Sequence, residues 1–201
     1  MKVVIIKYNA GNIRSVMFAL ERIGVHAVVT DDHDEIRSAD RVIFPGVGEA
    51  SSAMKYLVEK GLDQLICSLT QPVLGICLGM QLMCTSSEEN NTTCLGIFAE
   101  KVKRFPDTEG YKIPHIGWNN ISDLKTNLFA GVNDNAYMYF VHSFYVESCR
   151  DAIAKTNYIQ SYSSALHKDN FFAVQFHPEK SGEAGQKILE NFISGTSELN
   201  Q

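Results

Sequence analysis

Strand-like runs alternate with amphipathic stretches along the first half of the chain. The runs are only four or five residues long and rich in apolar side chains, which is typical of buried strands. They comprise Lys2 to Ile6, His26 to Thr30, Arg41 to Phe44 and Val73 to Ile76. Between them, apolar residues at helical spacing predict helices over Asn12 to Ile23 and through Met54 to Gly61. This alternation predicts a parallel sheet with helices on both faces.

The second half of the chain changes character. Strand-like segments follow one another with turn-forming residues between them, and a closing helix is predicted over Glu183 to Ile193. The polar run Ser86 to Thr93 is predicted to be a loop. The predicted strand segments of this half are Phe98 to Phe105, Ile113 to Ile116, Tyr137 to Val146, Ile153 to Asn157 and Phe171 to Phe176. We therefore expect a flavodoxin-like α/β fold in one domain over residues 1–201, with a mostly parallel central sheet and antiparallel additions in the second half.

Composition narrows the class of protein without identifying it. A chain of 201 residues with 45% apolar content can bury a core without disulfides. The net charge of −5 argues against non-specific binding to nucleic acid, and no stretch is long and apolar enough to span a membrane. Five cysteines without a C-x-x-C pair predict free thiols in the cytoplasm and no structural zinc. The sequence has no glycine-rich phosphate loop, and we predict neither a cofactor nor a bound metal.

One short segment points to chemistry. Gly75 and Gly79 bracket Cys77 at the end of a predicted strand, and an apolar helical run follows. Glycines at these positions permit a sharp strand-to-helix turn that sets the sulfur at a helix N-terminus, where the dipole favours the thiolate. Taken alone, the cysteine is equally a small buried core residue. We interpret the remaining cysteines as structural: Cys67, Cys84, Cys94 and Cys149.

A second segment near the other end supplies partners for a thiol. The strand-like run that ends at Phe176 is followed by His177, Pro178 and Glu179. In extended chain, residues two apart point the same way, so Glu179 is predicted to orient the imidazole of His177 while His177 faces Cys77. The three residues form a nucleophile, a base and an orienting carboxylate. The alternative is a loop with two solvated polar residues.

The Gly75 to Gln81 segment and the Gln175 to Glu179 segment together resemble the class I (triad) glutamine amidotransferases. Five more segments resemble, in the same order, the glutaminase subunits of imidazole glycerol phosphate synthase in histidine biosynthesis, and the resemblance runs from about Met1 to Phe192. The segments are Asn9-Ala10-Gly11-Asn12, Phe44-Pro45-Gly46-Val47-Gly48, Pro114-His115-Ile116-Gly117-Trp118-Asn119, Tyr139-Phe140-Val141-His142-Ser143-Phe144 and His177-Pro178-Glu179-Lys180-Ser181-Gly182-Glu183-Ala184-Gly185.

The resemblance implies hydrolysis of L-glutamine through a cysteine thioester, and transfer of the ammonia through a tunnel to a (β/α)₈-barrel cyclase in a heterodimer. It also implies a glutamine pocket and a surface that meets the cyclase. The pocket comprises Gly46, Gly48, Gln81, His142, Ser143 and Phe144, and the surface comprises Asn12, Trp118, Asn119, Tyr139 and Lys180. From residue type alone, Gln81 is equally a solvated helix residue and Trp118 is equally a core residue. A histidine in an apolar run, such as His142, is more often a core residue than a catalytic one.

Acyl transfer also requires donors for an oxyanion. The N–H of Leu78, directly after the nucleophile, is one expected donor. The other is expected from the Gly46-Val47-Gly48 segment, through the N–H of Val47, because glycines let a peptide plane turn over. We predict that this N–H points away from the site in the isolated chain. From its residues alone, an ordinary turn at a strand end is the favoured interpretation of the segment.

Two alternatives remain open, and one departure is visible. The chain has Lys7-Tyr8-Asn9 where the family commonly has Asp-Tyr-Gly, which bears on the loop facing the partner. One alternative is the small subunit of anthranilate or aminodeoxychorismate synthase, which the tract from Pro114 to Asn119 and Lys180 disfavour. The other is a non-catalytic or stress-response flavodoxin-like protein, which would not need the His177 and Glu179 pair.

Overall fold

The computed structural model describes residues 1–9 and 12–195, so Ala10 and Gly11 of the first motif lie outside the described residues. The helices are α1 (Ile13–Arg22), α2 (His33–Arg37), α3 (Ala50–Glu59), α4 (Leu62–Cys67), α5 (Leu78–Leu82) and α6 (Gly182–Ser194). The strands are β1 (Val3–Ile6), β2 (Ala27–Thr30), β3 (Arg41–Phe44), β4 (Val73–Ile76), β5 (Ser86–Ser87), β6 (Thr92–Thr93), β7 (Lys101–Arg104), β8 (His115–Asn120), β9 (Tyr137–His142), β10 (Phe144–Glu147), β11 (Ala152–Tyr158), β12 (Gln160–Lys168) and β13 (Phe171–Val174). Short 3₁₀ turns cover Glu89–Asn91, Asn127–Phe129 and Pro178–Lys180.

The central sheet has the expected α/β arrangement. Its strands follow the order β2-β1-β3-β4-β13-β12-β10-β7-β5-β6, and β11 pairs with β12. The first five strands in this order pair in parallel, and β12, β10 and β7 then add in antiparallel fashion. The chain returns to the middle of the sheet with β13, next to β4. The carboxyl ends of β4 and β13 are therefore neighbours, where α/β sheets bind ligands.

Helices cover both faces of this sheet, as the sequence predicted. On one face, α2 to α5 contribute buried side chains such as Ile36, Leu57 and Met80 to one apolar cluster. On the other, α1 and α6 contribute residues such as Leu20 and Ile188 to a second cluster. Among residues 1–9 and 12–195, no helix combines the length and the apolar character needed to cross a membrane.

The predicted strand over Tyr137 to Val146 is wrong as a single element. The chain forms β9, leaves its sheet at Ser143 and continues as β10. β9 pairs only with β8 in a separate two-stranded sheet, whereas β10 joins the central sheet between β7 and β12. Both strands are rich in apolar residues, so the hydrophobic pattern continues across a change of sheet that it cannot report.

Other elements also differ from the sequence expectation, including α2, which was not predicted, and β8, which begins at His115 and extends to Asn120. β12 was not predicted, because its Ser-rich sequence hides the fact that Ser163 and Ser164 are buried. α4 follows α3 after a single turn at Gly61, whose φ of 64° ends the first helix. The run Ser86 to Thr93 is not purely a loop, since β5 and β6 pair with each other and β5 extends the sheet beside β7.

Candidate active site

The turn from β4 into α5 has the backbone of a nucleophile elbow. Cys77 lies between the two elements with φ 53° and ψ −106°, a strained combination for a residue with a side chain. The flanking glycines are required by space. A Cβ on Gly79 would lie 2.0 Å from the carbonyl oxygen of Phe44, and one on Gly75 would lie 2.9 Å from Sδ of Met83. The turn therefore holds the thiol, which is only 6% exposed, at the start of α5.

His177 and Glu179 meet as predicted, although by a different local structure. Instead of extended chain, Pro178–Lys180 forms a 3₁₀ turn directly after His177. This turn brings Oε1 of Glu179 to 2.8 Å from Nδ1 of His177, with both side chains buried. The carboxylate can only accept, so Nδ1 carries the proton and Nε2 is left for another partner. The predicted contact is present, and a tight turn produces it.

That other partner is the Cys77 thiol. Burial by itself lowers the pKa of His177, but the charge and hydrogen bond of Cys77, and then those of Glu179, raise it to about 10. The imidazole is therefore held as a cation, because the groups on both of its sides favour its protonated form. The structure brings together all three residues that the sequence singled out, in the order thiol, imidazole, carboxylate.

Asn12 lies closer to this group than the family resemblance implied. The resemblance places Asn12 at the partner surface, whereas its side-chain amide donates to Oε1 of Glu179, the same oxygen that His177 binds. Asn12 has a φ of 73° and stands immediately before α1. Asn12 thus reaches the carboxylate end of the Cys77, His177 and Glu179 group.

The oxyanion segment after β3 is closed. The N–H of Leu78 donates to the carbonyl of Gly46 across 3.2 Å. In a trans peptide the C=O and N–H point in opposite directions, so the N–H of Val47 points away from Leu78. One residue earlier, the hydroxyl of Tyr8 donates to the Pro45 carbonyl across 2.6 Å. Of the two backbone N–H groups expected to bind an oxyanion, that of Leu78 is thus occupied by the Gly46 carbonyl and that of Val47 points away.

A cavity of about 260 Å³ opens beside the thiol. It takes in five of the six residues expected for the glutamine pocket, while Gly46 is engaged with Leu78 beneath it. Sequence reasoning missed Glu89, whose carboxylate accepts from the N–H of Ala50 and whose pKa is raised by partial burial. The lining residues are Val47, Gly48, Cys77, Leu78, Gln81, Glu89, Pro114, Val141, His142, Ser143 and Phe144.

The side chains of His142 and Gln81 are bound internally, although both border the cavity. Nδ1 of His142 donates to the carbonyl of Phe144 across 2.7 Å, and its Nε2 lies 3.2 Å from the hydroxyl of Tyr162. Burial lowers the pKa of His142 to about 3, so the ring is neutral. Nε2 of Gln81 also donates to Phe144 O, across 3.1 Å, and to Oε1 of Gln175. Gln81 is 4% exposed, so the interpretation as a solvated helix residue is wrong.

Gln175 is a site residue that sequence reasoning missed. It is completely buried, and its Nε2 lies 3.7 Å from Sγ of Cys77. A strand-register argument would have found it. Val174 pairs with Ile76 in the parallel sheet, and the residues that follow them are Gln175 and Cys77. The hydrophobic pattern gave no such register.

The residues expected at a partner surface divide into two groups. Trp118 is 56% exposed, so its interpretation as a core residue is wrong. Its ring lies 5.9 Å from that of Tyr139, and Nζ of Lys180 lies 5.8 Å from the same Tyr139 ring. Asn119, by contrast, turns inward, where its amide donates to the carbonyl of Asn157 across 3.0 Å. Trp118, Tyr139 and Lys180 therefore form one cluster, and Asn119 lies behind it.

The donor set of the site suits covalent catalysis by the protein's own groups. In the part of the chain that the structure describes, no cluster of three or more potential metal ligands occurs. All five cysteines are free, and burial raises the pKa of Cys67, Cys84, Cys94 and Cys149. Of the five, Cys77 is the one placed against an imidazole.

Comparison with known proteins agrees with this geometry. Residues 4–195 match the family model for class-I glutamine amidotransferases. The chain is 60% identical to the imidazole glycerol phosphate synthase subunit HisH of Bacteroides fragilis over 194 residues, which span 96% of this chain and 99% of that protein. It is 47% identical to the subunit of the same description from Yersinia pseudotuberculosis, over 96% of this chain and 99% of that protein.

Solved structures support the same fold at greater distance. A glutamine amidotransferase from Thermotoga maritima superposes with a TM-score of 0.65 at 17% sequence identity, and the match covers 96% of this chain and 83% of that one. At this level of identity the likeness speaks for the arrangement of strands and helices alone.

Proposed function

The chain belongs to the class-I glutamine amidotransferase family, and from this premise we propose that it is the glutaminase subunit of imidazole glycerol phosphate synthase in histidine biosynthesis. The observation that carries the proposal is the buried arrangement of Cys77, His177 and Glu179 at the carboxyl ends of β4 and β13. The curated relatives with the highest identities here share the description of that subunit over nearly their whole length. They favour it over the anthranilate and aminodeoxychorismate synthase subunits.

The first half of the reaction forms a thioester. Cys77 sulfur attacks the side-chain amide carbon of glutamine, and the carbonyl oxygen becomes an oxyanion. The proton that His177 holds passes to the amide nitrogen, which leaves as ammonia when the C–N bond breaks. Glu179 keeps the ring oriented and stabilises its charge through the 2.8 Å contact with Nδ1.

The second half releases glutamate. His177, neutral after ammonia has left, takes a proton from water, and the hydroxide attacks the thioester carbon. The C–S bond then breaks, glutamate leaves, and the sulfur of Cys77 is released beside the protonated His177, which restores the starting site. No cofactor or metal enters either half, because the thiol, imidazole and backbone N–H groups supply each step.

We assign the oxyanion donors to Leu78 and Val47, with a change of conformation. In the closed segment, the Gly46 carbonyl occupies the N–H of Leu78. A rotation of the Gly46–Val47 peptide frees that N–H and turns the Val47 N–H toward the substrate. One such donor is worth about 2.7–4 kcal/mol in the transition state. The closed segment therefore predicts a slow glutaminase that a partner accelerates.

The partner surface is proposed on the cluster of Trp118, Tyr139 and Lys180. The backbone supports a route from this surface to the triad, because the carbonyl of Tyr139 accepts from the N–H of His177 across 2.9 Å. The partner consistent with the family is a (β/α)₈-barrel cyclase that consumes the ammonia, in a heterodimer in the cytoplasm. The whole of residues 1–201 is proposed to act as one glutaminase domain.

Complementation tests the proposal in a cell. Expressed with the cyclase of its own organism, the chain should restore growth without histidine to a bacterium that lacks its own glutaminase subunit at low ammonia. A diazo-ketone analogue of glutamine should label the purified protein at Cys77. Failure of complementation together with labelling at another cysteine would overturn the assignment.

A further inference from the structure

A buried amide side chain, that of Gln175, has no task in the reaction described above. It follows β13 where that strand runs parallel to β4, which places it beside Cys77. Its Nε2 lies 3.7 Å from Sγ, within hydrogen-bonding distance for sulfur. Buried amides require partners for both ends, so the direction in which this one points has a physical cause.

A backbone carbonyl determines that direction. The Phe144 carbonyl can only accept, so the Gln81 atom 3.1 Å from it is the amide nitrogen. The same nitrogen lies 3.1 Å from the side chain of Gln175, and the atom facing it must therefore be the Gln175 oxygen. This leaves the NH₂ group of Gln175 directed at Cys77. The assignment follows from the partners and does not depend on telling amide oxygen from nitrogen by shape.

We propose that Gln175 donates a hydrogen bond to the thiolate of Cys77 and is a further catalytic residue of the reaction. This inference rests on the proposed function, because it assigns a task to a group that touches the attacking atom. In the thiol form, the sulfur donates to the Val141 carbonyl at 3.7 Å. Once the proton passes to His177, the Val141 carbonyl can no longer form a hydrogen bond with the sulfur, whereas the N–H of Gln175 can still donate one. Donors bind an anion more strongly than a neutral group, so Gln175 favours the reactive form.

The ionisable groups around the sulfur do not replace this donor. His177 shares the proton that is being moved, and Glu179 acts only through His177. Tyr8 and Tyr162 are buried phenols, and burial, followed by the charge on Cys77, raises the pKa of each well above its usual range. Gln175 is the group that donates to the sulfur without losing a proton at any working pH.

Alkylation of Cys77 as a function of pH isolates this effect from turnover. The whole chain is treated with iodoacetamide from pH 5 to 10, and the label at each cysteine is quantified by peptide mass spectrometry. Gln175→Met removes the donor with little change of volume. Gln175→Glu keeps the shape and the acceptor for Gln81 but puts a carboxylate oxygen against the sulfur. Asn170→Asp makes the same chemical change just before the other end of β13, where the Asn170 amide donates to two backbone carbonyls far from Cys77.

In the wild-type protein, Cys77 should be labelled fastest at pH 7. Gln175→Met should lower that rate about threefold or more, the size of one hydrogen bond to sulfur, and move the half-maximal rate to higher pH. Gln175→Glu should lower it about tenfold or more, because repulsion is added to the lost donor. Asn170→Asp should leave the profile of Cys77 unchanged, whatever it does to the melting temperature.

The outcomes separate this inference from the proposed function. If Cys77 of the wild type reacts no faster than Cys149, the assignment of the nucleophile is wrong. If Cys77 reacts fastest but both Gln175 variants keep the wild-type profile, Gln175 is a packing residue and the inference is overturned. Should Gln175→Met fail to fold, as judged by thermal unfolding, Gln175→Glu decides by the same rule.

Discussion

The two sides of the candidate site are built on neighbouring strands, yet they differ in how ready they are for reaction. On the β4 side, buried contacts hold Cys77 against His177, and His177 against Glu179. On the β3 side, a single peptide after Pro45 points its carbonyl where an oxyanion donor is needed. In the isolated chain the proposed nucleophile is assembled with its partners, whereas the groups proposed to bind the oxyanion are not.

The two sides differ in how much structure would have to change for regulation to act on them. Moving the nucleophile requires disruption of the strand-to-helix turn, in which a side chain on Gly79 would collide with the backbone of β3. Turning over the Gly46–Val47 peptide requires the loss of one 3.2 Å hydrogen bond, and the next residue, Gly48, is exposed and already has a φ of 129°. Glycine accepts either orientation of the peptide. The fold thus holds the proposed nucleophile fixed, and the proposed switch lies in the segment whose backbone changes most easily.

Removal of the nucleophile should have the largest effect. In complex with the cyclase, Cys77→Ala should lower glutamine hydrolysis by a factor of about 10⁴ or more, because no other group can form the thioester. Glutamate release is the measurement, and thermal unfolding checks the fold. Cys149→Ala, at a half-buried thiol remote from His177, should retain most of the activity. Comparable losses in the two variants would mean that the assembled side of the site has been misidentified.

Glu179→Gln should have the next largest effect, a fall in kcat/KM of about 10²- to 10³-fold, because the amide can present an N–H to Nδ1 and favour the wrong tautomer. It should also lower the pKa of His177. Since that pKa, about 10, lies above the ordinary 6.5, the bound proton stabilises the fold fully below about pH 6.5, and the benefit is lost as the pH rises through 10.

Urea unfolding between pH 6 and 10 measures this benefit directly. The decline of the free energy of unfolding should begin near pH 6.5 in every protein, because the imidazole of the unfolded chain titrates there, but in Glu179→Gln it should be smaller in total and level off at lower pH than in the wild type. Glu183→Gln, at an exposed position in the first turn of α6, is the matched control and should follow the wild-type curve. A decline of the same size that levels off at the same pH in all three proteins would contradict the expected effect of Glu179 on the pKa of His177.

Partner binding should raise glutaminase turnover by at least about tenfold, or about 1.4 kcal/mol. This is less than one oxyanion donor contributes, so rotation of the single Gly46–Val47 peptide suffices. Turnover is compared between the isolated chain and the chain with a (β/α)₈-barrel cyclase and its phosphoribosyl ligand. Equal rates would mean that the β3 side is already competent, and the contrast between the two sides would disappear.

The smallest effect is expected from Tyr8→Phe. Its hydroxyl holds the Pro45 carbonyl across 2.6 Å, one peptide before the one that turns. Without this anchor, the closed segment should open more often, and the basal rate of the isolated chain should rise about threefold, while the rate of the complex changes less. The ratio of the two rates is the measurement, with Tyr56→Phe on α3 as the control. A basal rate that stays the same would show that Tyr8 only fills space.

The sequence predicted the assembled side better than the closed side, for a physical reason. Glycines around Cys77 are dictated by close contacts, so they are visible as a local pattern. His177 and Glu179 are two residues apart, and their contact is equally local, even though a 3₁₀ turn replaces the expected extended chain. The orientation of the Gly46–Val47 peptide depends on a contact with Leu78, over thirty positions away, which a local pattern cannot report.

Long-range register and hidden burial explain the remaining misses. The strand order that sets Gln175 beside Cys77 depends on the return of β13 to the centre of the sheet. β12 was missed because its buried serines read as solvated, and the break at Ser143 was missed because both flanking strands are apolar. The resemblance places Asn12 at or near the partner surface, and its contact with Glu179 is a further detail that the sequence did not indicate.

The small sheet of β8 and β9 has a consequence for making the protein. One face supplies buried side chains such as Met138 and Phe140, while the other leaves Ile116, Trp118 and Tyr137 more than half exposed. Contiguous exposed apolar surface promotes self-association when nothing covers it. A cell that synthesised this subunit in excess of its partner would accumulate a protein prone to self-association. Balanced synthesis of the two chains would therefore limit aggregation as well as the waste of glutamine. In the laboratory, co-expression is the corresponding remedy.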